Sequence, residues 1–132
     1  MADNLEKGLV QVYTGSGKGK TTAAFGQALR AHGAGLTVTI VQFLKDGCSP
    51  EVKALRASIP EIEIFCFGKS GFVGPSGPDE DDIRQALEGL EKCLLIVGEG
   101  STDVLILDEI CTAVALGVIE EEAVLNILKL RP

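Results

Sequence analysis

Short apolar runs rich in β-branched residues alternate along this chain with stretches whose apolar positions recur at helical spacing. Leu9-Val10-Gln11-Val12-Tyr13 predicts a short strand running straight into a glycine-rich loop, and Thr21 to His32 predicts a helix that ends before Gly33 and Gly35. Leu36 to Phe43 predicts a second, buried strand, Pro50 to Ser58 a short helix, and Ile62-Glu63-Ile64-Phe65-Cys66 a third strand. Gly, Ser and Pro dominate from Gly68 to Gly77, which marks a loop able to carry function. Pro78-Asp79-Glu80-Asp81-Asp82 then opens a long helix to about Val97, its acids suited to the positive end of the helix dipole. Val104-Leu105-Ile106-Leu107 predicts a fourth strand, apolar throughout, and Glu120 to Lys129 a last helix. Strands apolar on both faces and alternating with helices imply an α/β fold, a parallel sheet flanked by helices. Pro132 stands where the alternation next calls for a strand, so the expected architecture is one domain over 1–132 with its C-terminal strand missing.

Composition narrows the picture without changing it. A length of 132 residues suits one domain, and 45% hydrophobic with 23% charged residues is ordinary for a globular chain. A net charge of -7 argues against a general basic surface for nucleic acid. Against that background Lys18 and Lys20, close together in one loop, stand out as a place where an anion is welcome. Cys48, Cys66, Cys93 and Cys111 form no CxxC pair, which points to reduced, mostly buried thiols. No stretch approaches the roughly 18 apolar residues of a membrane span, and Met1 to Gly8 has no signal-like apolar run, so a cytoplasmic protein with no membrane partner is expected.

The loop Gly15-Ser16-Gly17-Lys18-Gly19-Lys20-Thr21-Thr22 carries the chemistry. A phosphate needs several backbone N–H donors converging on one spot, and glycines turn the chain tightly with no side chain in the way. The helix that follows adds its unpaired N–H groups and positive dipole end. Lys20 would reach the phosphates of ATP as a point charge, and the Thr21 hydroxyl can serve Mg2+. The pattern approaches the Walker A loop GxxxxGK[ST] and misses it once: Thr14 stands where the first glycine belongs, and Gly15 comes one residue late. The loop is therefore shortened. A dinucleotide GxGxxG reading fails, because Lys20 occupies its last glycine. Val104 to Glu109, an apolar strand ending in two carboxylates, looks like a Walker B element whose Asp108 or Glu109 could hold magnesium.

The GSGKGKTT loop with AAFGQALRAHG behind it, the strand ending Val41-Gln42-Phe43-Leu44-Lys45, Gly71-Phe72 and Leu107-Asp108-Glu109-Ile110 occur in order over nearly the whole chain. Together they resemble the ATP:corrinoid adenosyltransferases of the cobalamin pathway. The resemblance implies a P-loop NTPase fold of RecA-like type and attack of a Co(I) corrinoid on the 5′ carbon of ATP, with triphosphate leaving. It also implies ATP bound in a reversed sense in a shortened loop, a homodimer, and an electron-donating reductase or flavoprotein as partner. Lys20 and Lys18 would act on the leaving triphosphate with the loop amides, while Thr21 and Glu109, supported by Asp108, would hold the magnesium. Phe72 is a candidate to pack beneath the corrin ring, and Gln42 a polar strand end facing the site, a structural role for each being equally open. Gly74 stands where the family's better-studied members carry a Trp, and those members continue past Pro132 into a strand and a TGR motif. An ATPase or kinase acting on the γ-phosphate, and a nucleotide-binding remnant without turnover, are the alternatives. His32, near a helix C-terminus, and Cys111, expected in the core, read as structural.

Overall fold

The computed structural model describes residues 8–69, 71 and 73–132. Helix α1 (Lys20–Gly33) leads to strand β1 (Val38–Phe43), helix α2 (Pro50–Ser58) and strand β2 (Glu63–Phe67). Helix α3 (Glu80–Glu99), strand β3 (Val104–Asp108) and helices α4 (Ile110–Ala115) and α5 (Glu121–Lys129) complete the order. The three strands form one parallel sheet in the order β2-β1-β3.

Period-two alternation sorts the strand side chains onto two faces, each covered by helices. Val38 and Ile40 of β1 pack with Phe25 and Ala28 of α1, Val52 of α2 and Ile64 of β2. Val41 and Phe43 face the other way, against Ala86, Leu90 and Cys93 of α3 and Ile127 of α5. All six residues of β1 are buried, as a central strand requires. In β3 the first four residues are only half-buried, because β3 has a strand neighbour on one side alone among the described residues.

Local chemistry sets the helix ends. Pro50 opens α2, where its missing N–H would have no helical partner in any case. Asp79 and Asp82 close a reciprocal capping box at the start of α3, each carboxylate accepting the other's backbone N–H at 2.8 and 2.9 Å. Gly100 ends α3 in a left-handed turn at φ 64°. The start of α1 differs: it has no acid in its first turn and no side-chain cap.

Two expectations need correction. Leu9–Tyr13 forms no strand; it lies outside the sheet, with Leu9 74% and Val12 66% exposed. β propensity expresses itself only where a neighbouring strand takes the ladder bonds, and here none does. The segment is held at its start instead, where the Gly8 N–H donates to the Pro132 carbonyl at 3.2 Å and Arg131 Nε donates to the Gly8 carbonyl at 2.9 Å. The cysteines are free but mostly not buried: Cys48 and Cys111 are exposed, Cys66 is intermediate, and only Cys93 lies in the core. Cys111 falls on the outer face of α4, a helix the apolar pattern did not disclose. No described helix is long and apolar enough to cross a membrane.

Phe43 and Gly89 offer a direct check on the packing of the sheet against α3. A Cβ on Gly89 would stand 2.6 Å from Cε1 of the fully buried Phe43 ring. Gly to Ala inside a helix ordinarily stabilises by about 1 kcal/mol. Gly89→Ala is instead expected to lower stability by about 1–3 kcal/mol through overpacking, read as a reduced midpoint in urea denaturation. An unchanged or raised midpoint would mean that α3 packs elsewhere.

Candidate functional site

From β1 the chain passes to β2 on one side and then returns across the sheet to β3 on the other. Such a reversal opens a crevice at the carboxyl ends of the two strands that part, here β1 and β3. The glycine loop before α1 arrives at the same place, since the Thr21 hydroxyl donates to Asp108 Oδ1 at 2.9 Å across 87 residues of sequence. Loop, strand ends and acidic pair are thus brought together.

Asp108 is the hub. It is 6% exposed, and its second oxygen accepts from Gln42 Nε2 at 2.8 Å. Sheet register sets the two side by side: Gln42 is the partner of Asp108 on one side and of Cys66 on the other. The Cys66 thiol completes the row by donating to Gln42 Oε1 at 3.6 Å. Burial pushes the Cys66 thiol up, with Arg56 beside it opposing, so the sulfur keeps the proton that it donates. Gln42, the polar strand end expected to face the site, is itself fully buried, and both ends of its amide are engaged inside this row.

The loop residues Gly15, Ser16, Gly17, Lys18, Gly19 and Thr22 are exposed, while Lys20 and Thr21 are half-buried at the helix start. Lys20 folds back over its own loop, donating to the carbonyls of Gly15 at 2.5 Å and Gly17 at 3.3 Å. Gly15 sits at φ 114°, where a side chain would be strained. The three described residues other than glycine with positive φ are Lys18, Leu44 and Glu109, and all three lie on this crevice. Backbone strain of that kind clusters where the surrounding structure imposes a geometry.

Lys45 is the residue to which sequence reasoning gives no role. Its ammonium stands 3.2 Å from Glu109 Oε1 and 3.8 Å from Asp108 Oδ2. A signal for it exists: Lys45 lies just beyond the carboxyl end of β1, level with Asp108 and Glu109 at the end of β3, where open α/β sheets place their functional groups. Lys45 therefore shares the crevice with two carboxylates, and Lys20 and the exposed Lys18 belong to the glycine loop beside it. Thr21, Asp108 and Glu109 offer hard oxygen donors of the kind Mg2+ takes, and a magnesium ion fills its remaining positions with water and phosphate. Among the described residues no set of three or more His, Cys, Asp or Glu side chains gathers into a richer metal site.

Phe72 lies outside the described residues. Among the described residues before it, Lys69 bonds the Asp79 carboxylate and stands 3.5 Å from Asp82. Asp79 and Asp82 thus hold the capping box of α3 and the foot of the glycine-rich loop together. The Lys69 ammonium, and after it the Asp82 N–H, hold the Asp79 carboxyl down to about 2.

Residues 6–132 match the family described as ATP:corrinoid adenosyltransferase BtuR/CobO/CobP. The chain is similar to the corrinoid adenosyltransferase of Escherichia coli K12, 36% identical over 129 residues that cover 96% of this chain and 64% of that protein. It is similar also to corrinoid adenosyltransferase CobA of Salmonella typhimurium, at 35% identity with 96% and 64% covered. The corrinoid adenosyltransferase of Pseudomonas aeruginosa is 31% identical, with 96% and 63% covered. The chain thus spans 63 to 64% of the length of these curated relatives.

Gln42→Leu leaves the Asp108 carboxylate buried with one donor fewer. It is expected to cost about 1–3 kcal/mol of stability in urea denaturation, and no loss would show that Asp108 does not depend on the row. Asp79 yields a pH dependence with a definite sign. Its folded value lies below the ordinary 3.8, so its contribution to stability is complete above that range and is lost as pH falls from 3.8 toward 2. Lys69→Met should return the Asp79 carboxyl toward its ordinary value in a carbon-detected NMR titration. A titration identical to wild type would remove Lys69 as the cause.

Proposed function

We propose, for a chain that belongs to the family of ATP:corrinoid adenosyltransferases, that it transfers the 5′-deoxyadenosyl group of ATP to the Co(I) centre of a corrinoid and releases triphosphate. The observation that carries the reading is the joined pair of loop and strand end: the shortened glycine loop, with Lys20 over it, is held against Asp108 through Thr21. The strand order and the loop ahead of α1 favour a P-loop NTPase fold of RecA-like type.

The cobalt supplies the electron pair of the new Co–C bond while the C5′–O bond breaks and its pair departs on the triphosphate. No protein base is needed, because Co(I) is already a strong nucleophile. What the chain must do is position the 5′ carbon and stabilise charge on the leaving group. The start of α1 is suited to both, since it lacks acid and side-chain cap alike and its N–H groups are left to an anion. Lys20 would exchange the carbonyls of Gly15 and Gly17 for phosphate oxygens, and Lys18, on the exposed crest of the loop, adds a second cation. Thr21, Asp108 and Glu109 would hold Mg2+, which supplies further charge neutralisation at the triphosphate. Gln42, fully buried, would act through the Asp108 carboxylate that it fixes and not by touching the corrinoid, and Phe72 is proposed as the apolar contact of the corrin ring.

Cytoplasmic location, a homodimer and an electron-donating reductase or flavoprotein complete the reading. Exposed apolar residues such as Leu94 and Leu95 of α3 and Leu130 are surfaces that an assembly could use.

ATP and a chemically reduced Co(I) corrinoid, followed in the visible spectrum, should show alkylation, with triphosphate as the second product. ADP and phosphate without a spectral change would point to γ-phosphate chemistry instead. Lys20→Ala is expected to lower the alkylation rate by about a hundredfold or more, as loss of a cation on a leaving group does. Unchanged turnover would mean that the triphosphate lies elsewhere.

A further inference from the structure

Lys45 is brought to the acidic pair by features that an incidental surface contact does not need. Leu44 takes a left-handed conformation at φ 63°, which turns the chain out of β1 and aims Lys45 across the crevice. The turn is fastened by the Leu44 N–H, which donates to the Phe67 carbonyl at 3.1 Å. Gly68 lies so close beneath it that a Cβ there would be 2.3 Å from the Lys45 backbone nitrogen and 2.5 Å from the Leu44 carbonyl carbon. On the opposite side Glu109 is itself left-handed at φ 65°. Two strained residues and one close backbone approach therefore converge on a single ion pair, Lys45 with Glu109, at 3.2 Å.

Lys45 is 35% exposed and Glu109 25%, while Asp108 is nearly buried, so the three charges sit where water screens them only in part. Adjacent carboxylates in such a place repel each other unless a cation stands between them. Lys45 supplies that cation from within the chain. A divalent ion entering the crevice needs the same oxygens and meets a positive charge already in place. A triphosphate alters the balance, since its own negative charge can accommodate both cations.

We propose that Lys45 is the resident counter-cation of the Asp108–Glu109 pair, and that it suppresses binding of free divalent metal so that metal enters together with the triphosphate. The proposal rests on the nucleotide reading given above, but its core concerns the crevice before nucleotide binds. Lys45 is in this sense a positioning residue: it acts on the carboxylates and not on the reacting atoms.

The test uses Mn2+ alone, titrated by electron paramagnetic resonance into nucleotide-free protein. Wild type should bind it weakly, and Lys45→Met should tighten binding by about tenfold or more, the effect of removing a unit charge at this range. Lys45→Arg, which keeps the charge, should stay near wild type. Adding Glu109→Gln to Lys45→Met should abolish the gain. Equal Mn2+ affinity in wild type and Lys45→Met overturns the proposal, as does equal tightening in Lys45→Arg. If circular dichroism shows Lys45→Met unfolded, Lys45→Gln carries the same expectation, and Lys45→Arg still tests the charge. No ATP or corrinoid enters the titration, so its failure is distinct from failure of the adenosyl-transfer assay.

Discussion

A buried carboxylate must be supplied with donors, and Asp108 obtains them from two different elements. Thr21 reaches it from the first turn of α1 and Gln42 from the centre of the sheet. Because an unpaired charge at such a site is costly, the requirement locks the glycine loop, β1 and β3 into one arrangement. The rest of the crevice follows from that lock. Cys66 is drawn in through Gln42, Glu109 is presented by the turn that follows Asp108, and Lys45 faces both acids from the end of β1.

The same arrangement separates two kinds of helix start. At α3 the orphan N–H groups are satisfied internally, by the Asp79–Asp82 box with Lys69 behind it. At α1 they are not, and the residues around them are Lys18, Lys20 and threonines in place of acids. One end is closed as a structural joint, and the other is left with donors and positive charge to offer. That contrast, within a chain of net charge -7, makes the loop the natural seat of an anion.

Much of this is legible in the amino-acid order. Pro50 and Ser58 mark the bounds of α2, because proline at a helix start and a polar break at its end are local signals. The α/β alternation, the parallel sheet and the glycine loop are local signals too. Leu9–Tyr13 misleads for the opposite reason: its β-branched residues are suited to a strand, but a strand exists only in a pair, and the pairing partner is not a property of the segment. Residue type alone puts Cys111 in the core, whereas its position on the face of α4 decides its exposure.

Spacing along the chain is enough to single out the candidate residues: the glycines that free the backbone before Lys20, the hydroxyl of Thr21 and the two acids after an apolar run. These follow from spacing along the chain, which is visible in the chain itself. It takes the folded sheet to set Gln42 in register between Cys66 and Asp108, and to turn Lys45 onto Glu109 through Leu44 and Gly68. Register and close backbone approach are relations between segments dozens of residues apart, set by packing of the whole sheet and not encoded in either segment alone.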